Sequence, residues 1–385
     1  MKILIVANGY PDQREPQWGC FERDQALALS KYGHEVSIIY FDRRFRKYWR
    51  KIGITKRQEQ GLFIYGLYVM PLGWLRDMVS FRLHHKVVRY GLDILYREYI
   101  KDNGKPDVIY AHYIWNISYA TILKKKYGIP LVGMEHWSGL NNDSLLSKTM
   151  YMGELAYNNT DKLISVAATL RERIKSHFNK DSVVIHNMVG AEFLHIPICH
   201  EKRDERLSFI SVGSLLPVKG YDILINAMSL ATKELPSWSL IIIGEGPEHE
   251  RLEQLIESKG LSEQISLLGR KTKSEIIQNL NNSSVYISSS RSENFSVAVL
   301  EALAAGLPVV ATLCGDIKEC VNNNNGLLVP VEDIQGLSQA IVAISSNISK
   351  YDNIKIAEDC RRCFAPQVIA QQLTDIFDDI INSKI

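Results

Sequence analysis

Two glutamates eight positions apart, Glu293 and Glu301, enclose the run Asn294-Phe295-Ser296-Val297-Ala298-Val299-Leu300. If that run opens a helix, the backbone N–H groups of Phe295, Ser296 and Val297 lack intrahelical acceptors and suit an anion such as a diphosphate. At the helical rise the two carboxylates stand roughly 12 Å apart or less, a span that fits opposite ends of one elongated ligand. A helix-terminal charge at Glu293 and an exposed-face residue at Glu301 would give the same spacing. A second group is Val212-Gly213-Ser214-Leu215-Leu216-Pro217-Val218-Lys219-Gly220. Gly213 allows a tight turn there, and Lys219 opens a helix from which its ammonium reaches a phosphate. Gly244-Glu245-Gly246-Pro247 reads as a loop of the same kind, or as a turn with proline at the first helical position. In the first half, Gly19 in Trp18-Gly19-Cys20 lets backbone approach a phosphate or is simply a loop glycine. His136 follows the apolar run Leu131–Glu135, and His112, a weaker candidate, follows Asp107–Ala111.

Side chains placed this way need elements whose ends converge, and the chain supplies them in two series. Short β-branched runs at Ile3–Ala7, Glu35–Tyr40, Asp107–Ala111, Leu131–Glu135, Lys162–Val166 and Val183–His186 predict strands, with helix-like stretches between. Gly33-His34 closes a helix over Phe21–Lys31. The pattern lapses at His186–His200 and restarts with Leu207–Val212, Ser239–Ile243, Ile265–Leu268, Val285–Ser288, Pro308–Thr312 and Leu327–Val329. A helix is expected over Phe295–Ala305, ending at Gly306. The fold expected is α/β, two consecutive doubly wound, Rossmann-like domains over 1–187 and 205–365, joined by a linker at 188–204. Ligands of such sheets bind beyond the carboxyl ends of the strands, and the crevice between two such domains is the natural pocket. The candidate residues all follow strands.

Composition narrows the function. The 385 residues carry a net charge of +2, split as +10 over residues 1–190 and −8 over 191–385, so the first half is suited to an anionic partner. No uncharged apolar stretch approaches the roughly 18 residues of a membrane span, and the N-terminal apolar run is short for a signal peptide. The six cysteines have no disulfide-like spacing, and Cys360-x-x-Cys363 lacks a second pair for a zinc site. A cytoplasmic protein is expected. With no Asp-rich or His/Cys ligand cluster, neither a metal nor a cofactor is expected.

Taken together, these pieces resemble the retaining glycosyltransferases of family 4, which have the GT-B fold, two Rossmann-like domains facing across a cleft. The resemblance covers most of the chain and is most specific from Glu293 to Glu301, continuing through Gly306-Leu307-Pro308-Val309-Val310-Ala311. Lys219-Gly220, Gly244-Glu245-Gly246-Pro247 and the stretch from Gly315 through Glu319 to Asn325-Gly326-Leu327-Leu328 support it. It implies a nucleotide-sugar donor. Glu301 would hold the ribose hydroxyls, Glu293 the sugar hydroxyls, Lys219 with the 295–297 amides the diphosphate, and Gly269 and Arg270 the base. His136 matches an active-site histidine near the transferred sugar. The segment 366–385 resembles the family's closing helix, which crosses back to the first domain. Two departures stand out: Ser214 replaces a frequent arginine, and Ser296 a frequent glycine. Lys219 would then carry more of the diphosphate charge, or Arg270 or Lys271 would assist.

The likeness also implies front-face attack by the acceptor hydroxyl, with the leaving phosphate taking its proton. The acceptor would be a glycan or a lipid-linked sugar in surface polysaccharide assembly. The basic-aromatic segment containing Arg43, Arg44, Arg46, Lys47, Trp49, Arg50 and Lys51 suits an anionic membrane surface, or is a solvated loop. Membrane contact would place the chain at the inner face of the membrane. Nothing resembles a nucleic-acid recognition motif. A GT-B-like sugar-nucleotide epimerase and a non-catalytic nucleotide-sugar-binding protein are the rival readings.

Overall fold

A computed structural model describes residues 1–44, 48, 50–70, 81–196 and 206–383. The chain divides into two units, one comprising Met1–His186 with Gln367–Ile385, the other Asn187–Pro366.

The first unit holds an eight-stranded sheet. Its strands are β1 (Lys2–Ala7), β2 (Glu35–Asp42), β3 (Gly53–Glu59), β4 (Leu62–Tyr68), β5 (Val108–His112), β6 (Leu131–Glu135), β7 (Lys162–Ser165) and β8 (Val183–Val184). They lie in the order β3-β4-β2-β1-β5-β6-β7-β8. All neighbours are parallel except β3 and β4. β1 is buried along its apolar run, Ile3, Leu4 and Ile5 being fully inaccessible, as a central strand covered on both faces must be. The β3–β4 hairpin was not expected from the sequence. Its turn residues Gln60 and Gly61 both have positive φ, 50° and 83°, the geometry that matches the twist of a two-residue hairpin. The helix Cys20–Lys31 ends as expected: Gly33 takes φ 110° and the His34 N–H returns to the Leu29 carbonyl. The C-terminal helix Pro366–Asn382 lays Ile369, Ala370, Leu373 and Phe377, all buried, onto this unit. Thr374 Oγ1 meets His34 Nε2 at 2.8 Å, and Phe377 packs edge-on to Tyr110.

The second unit holds six parallel strands: β9 (Leu207–Val212), β10 (Trp238–Ile243), β11 (Ile265–Leu267), β12 (Val285–Ser288), β13 (Val309–Thr312) and β14 (Gly326–Val329). Their order is β11-β10-β9-β12-β13-β14. Apolar layers cover both faces, one around Phe209, Leu224 and Ile341, the other around Ile210, Leu300 and Val309. The chain leaves β9 toward one side of the sheet and β12 toward the other. In sheets of this kind such a divergence marks where ligands bind, and Gly213 to Gly220 and Ser289 to Ser296 follow the two carboxyl ends. The equivalent point of the first sheet falls at β1 and β5.

Candidate functional site

The second unit assembles its candidates around the ends of β9 and β12. After β9 the chain runs through Gly213 into a 3-10 turn, Pro217–Lys219, and Gly220 then takes φ 63°. A Cβ at Gly220 would lie 2.1 Å from the Ser289 carbonyl oxygen, so only glycine lets this turn rest on the loop after β12. Ser289 Oγ donates to the Lys219 carbonyl at 3.1 Å. Held this way, the Lys219 ammonium is ion-paired to Glu293 Oε1, which also accepts from Ser290 Oγ at 3.1 Å. Their side chains are 25% and 20% exposed, so the pair is only partly shielded from water.

A residue the sequence reading missed fastens this arrangement. Arg291 donates to both carboxylate oxygens of Asp222 at 2.9 Å and to the Pro217 carbonyl, and pairs with Glu332. Its backbone N–H reaches the Val218 carbonyl at 2.8 Å. Hydrogen bonding to Asp222 holds the guanidinium above its usual pKa. The turn of Lys219 and the loop of Glu293 are thereby clamped to each other. Only the partners distributed over distant segments reveal this role.

Gly315, at φ 57°, closes the loop after β13 over the same backbone: a Cβ there would sit 2.4 Å from the Glu293 carbonyl oxygen and 2.5 Å from that of Asn294. The helix beyond begins at Val297, two residues later than expected, and runs to Ala304 with Ser296 at its cap. Phe295 precedes it because its ring is 4% exposed and packed against Phe364. The first-turn amides without intrahelical acceptors are therefore those of Val297, Ala298 and Val299. Glu301 stands in the second turn of this helix. Both Glu301 and Glu293 add to the rise in the pKa of Tyr286, which burial dominates, so the two carboxylates share one neighbourhood.

Other candidates are placed less directly. Ser214 is exposed, while Gly213 receives the Tyr221 hydroxyl on its carbonyl at 3.1 Å. Gly269, φ 67°, accepts the Gly244 N–H. Arg270 pairs with Glu245 at 2.8 Å and Lys271 with Glu275 at 3.4 Å, so each already has an acidic partner.

In the first unit, Gly19 caps the helix Cys20–Lys31 at φ 78°, its Cβ position 2.2 Å from the Gly9 carbonyl oxygen. His136 follows β6, and Glu135 pins it: the Glu135 carboxylate accepts the His136 and Trp137 N–H groups at 2.9 Å and the Tyr157 hydroxyl at 2.7 Å. Burial pushes the Glu135 carboxyl up to about 7 against these bonds. His112 Nδ1 lies 3.0 Å from His136 Nε2, with the ring planes within 7° and the centroids 5.2 Å apart. Tyr113, at φ 68°, turns the chain immediately after His112.

The basic segment is less available than its charge suggests. Arg44 pairs with Glu15 and Asp42, and Arg50 pairs with Asp42, whose side chain is fully buried. Arg43 meets His84 at 2.8 Å. Arg46, Lys47 and Trp49 lie outside the described residues. Among the described residues no three His, Cys, Asp or Glu side chains converge as a metal site, and no helix is long and apolar enough to cross a membrane.

Residues 196–358 match the family described as Glycosyl transferases group 1, and residues 23–193 the one described as Glycosyltransferase Family 4. An uncharacterized glycosyltransferase of Methanocaldococcus jannaschii is 30% identical over 247 residues, 63% of this chain and 66% of that protein, just under two thirds of its length. One of Haemophilus influenzae is 25% identical over 333 residues, 85% of this chain and 86% of its own. Among solved structures, Anabaena HepE in complex with UDP and glucose superposes with a TM-score of 0.73 at 18% identity, covering 98% of this chain and 100% of that one. The architecture is the GT-B fold.

Proposed function

From the premise that the chain belongs to the group 1, family 4 glycosyltransferases, we propose that it moves a sugar from a nucleoside-diphosphate donor to a glycan or lipid-linked acceptor, retaining the anomeric configuration. The reading rests on the Lys219–Glu293 ion pair at the ends of β9 and β12, beside the start of the helix Val297–Ala304. A diphosphate entering there competes for the Lys219 ammonium and releases the Glu293 carboxylate to the sugar hydroxyls. Ser296 and the first-turn amides receive phosphate oxygens, Glu301 the ribose, and the backbone at Gly213, Gly269 and Arg270 the nucleoside. Backbone at Gly19 and the side chain of His136 serve the reaction from the first unit.

As the bond from the anomeric carbon to the phosphate oxygen breaks, charge grows on the diphosphate, where preorganised donors act most strongly. The acceptor hydroxyl bonds to the anomeric carbon on the same face, and its proton passes to the leaving phosphate. With Lys219 and the helix start supplying the positive field, no metal is required, so EDTA leaves turnover unchanged. A panel of UDP-, GDP- and ADP-sugars tests donor binding. One of them at about 100 times its Kd should stabilise the fold by about 2.7 kcal/mol, read as a raised Tm. No shift with any of the three would remove the reading.

Assembly of a surface polysaccharide on a lipid carrier calls for a membrane-facing side, and a helix face supports one. On the helix Phe81–Asn103, Leu83, Val87 and Tyr90 are 52%, 54% and 63% exposed at one-face spacing. Arg82 and Lys86 flank them, and no acidic residue precedes Asp93 on this helix. Such a face suits anionic headgroups at the inner surface of a membrane. The chain should float with phosphatidylglycerol vesicles at low salt, and Leu83→Asp with Val87→Asp should abolish this. A chain that stays with the soluble fraction at low salt defeats the membrane contact.

A further inference from the structure

We propose that His112 is a positioning residue which donates its Nδ1–H to Nε2 of His136 and so fixes the remaining ring proton of His136 on Nδ1. This rests on His136 serving the reaction, as read above.

The two rings meet edge to edge. Their planes lie within 7°, and the centroid separation of 5.2 Å exceeds the 3.0 Å N···N distance by about two ring radii. That near-coplanar approach aligns an N–H with a lone pair. One proton lies on the axis, and it belongs to one ring or the other. If His136 donates it from Nε2, the neutral His112 must carry its own proton on Nε2. That nitrogen is buried and has no hydrogen-bond partner, so the result is an orphaned buried donor, the rarest kind of unsatisfied group. The Tyr110 ring packs against His112, but its hydroxyl oxygen makes no hydrogen bond to this nitrogen and so gives no relief. If His112 donates from Nδ1, only a lone pair is left in the apolar site. A doubly protonated His112 again orphans an N–H, and full burial disfavours its charge. The second arrangement therefore prevails.

The partner of one imidazole nitrogen decides where the other proton sits. With Nε2 occupied as an acceptor, His136 offers an N–H from Nδ1, a donor to a sugar hydroxyl oxygen rather than a base. This suits a reaction in which the leaving phosphate takes the acceptor's proton. Glu135 holds the His136 backbone and His112 holds its ring, so both position and tautomer are set.

Two-bond proton–nitrogen NMR of the full chain labelled with nitrogen-15 histidine, at neutral pH and without any sugar, reads the tautomer directly. His136→Ala identifies the signals. The expected spectrum has His136 Nδ1 protonated and Nε2 pyridine-like. In His112→Phe the proton of His136 moves wholly or partly to Nε2, and kcat falls about 10-fold or more. His112→Asn, whose amide can stand where Nδ1 stood, keeps the tautomer and most of the rate. A wild-type His136 protonated at Nε2, or an unchanged tautomer in His112→Phe, overturns the proposal. Should the Phe variant not fold, the wild-type and Asn spectra decide. Normal turnover in His136→Ala would instead remove His136 from the reaction and leave the tautomer assignment standing.

Discussion

Lys219→Ala should lower kcat/KM for sugar transfer by about 100- to 1000-fold, the usual effect of removing one preorganised donor to developing charge. Two losses combine. The diphosphate loses the Lys219 ammonium, and Glu293 keeps Ser290 Oγ as a donor. An unneutralised carboxylate then repels the incoming phosphate. Glu293→Gln in the Lys219→Ala background should therefore recover donor affinity, though not turnover, because the sugar contact stays altered. Lys219→Arg keeps the charge with a broader, planar head and should be intermediate. Steady-state transfer with a fixed acceptor checks the series. Wild-type turnover in Lys219→Ala removes this residue from the site.

Gly315→Ala should be nearly as damaging although it removes no functional group. The added methyl lies 2.4 Å from the Glu293 carbonyl oxygen and 2.5 Å from that of Asn294, and neither is a flexible side-chain end. Gly260→Ala is the control, because it has left-handed backbone at φ 67° but meets nothing within 4 Å and lies outside the proposed site. The control should lose about 1–2 kcal/mol from backbone strain alone. Gly315→Ala should lose about 3 kcal/mol or more, lowering the Tm of the second unit by about 6 °C or more. Shifting the Glu293 backbone by an ångström also costs about 100-fold in rate. Calorimetry and transfer assays on both variants test this, and equal losses would refute the close approach at Gly315.

The parallel strands were legible because burial on both faces leaves continuous apolar runs, as in Ile3–Ala7 and Val309–Ala311. The β3–β4 hairpin was not, for two reasons. β3 is exposed at most of its positions and so shows no alternation, and its turn carries Gln60-Gly61 in place of the usual Asn-Gly. The late start of the helix at Val297 escaped because Phe295 has the apolar character of a helix-face residue yet belongs to the core beside Phe364. Lys219, Glu293 and Glu301 could be chosen by spacing after strands. Arg291 and Glu135 could not, because what defines them is a set of partners far along the chain: Asp222 and Glu332 for one, Tyr157 for the other. His112 was noticed only as a lone histidine after a strand, and its meaning comes from the ring of His136.

The return of Pro366–Asn382 to the first unit makes the second an insertion within it, and this bears on how the chain is born. Domains ordinarily mature in the order they leave the ribosome. Here Asn187–Pro366 has all its strands in hand while Tyr110 still waits for Phe377. The part made first is thus finished last, and its apolar flank stays uncovered until the segment carrying Phe377 has been made.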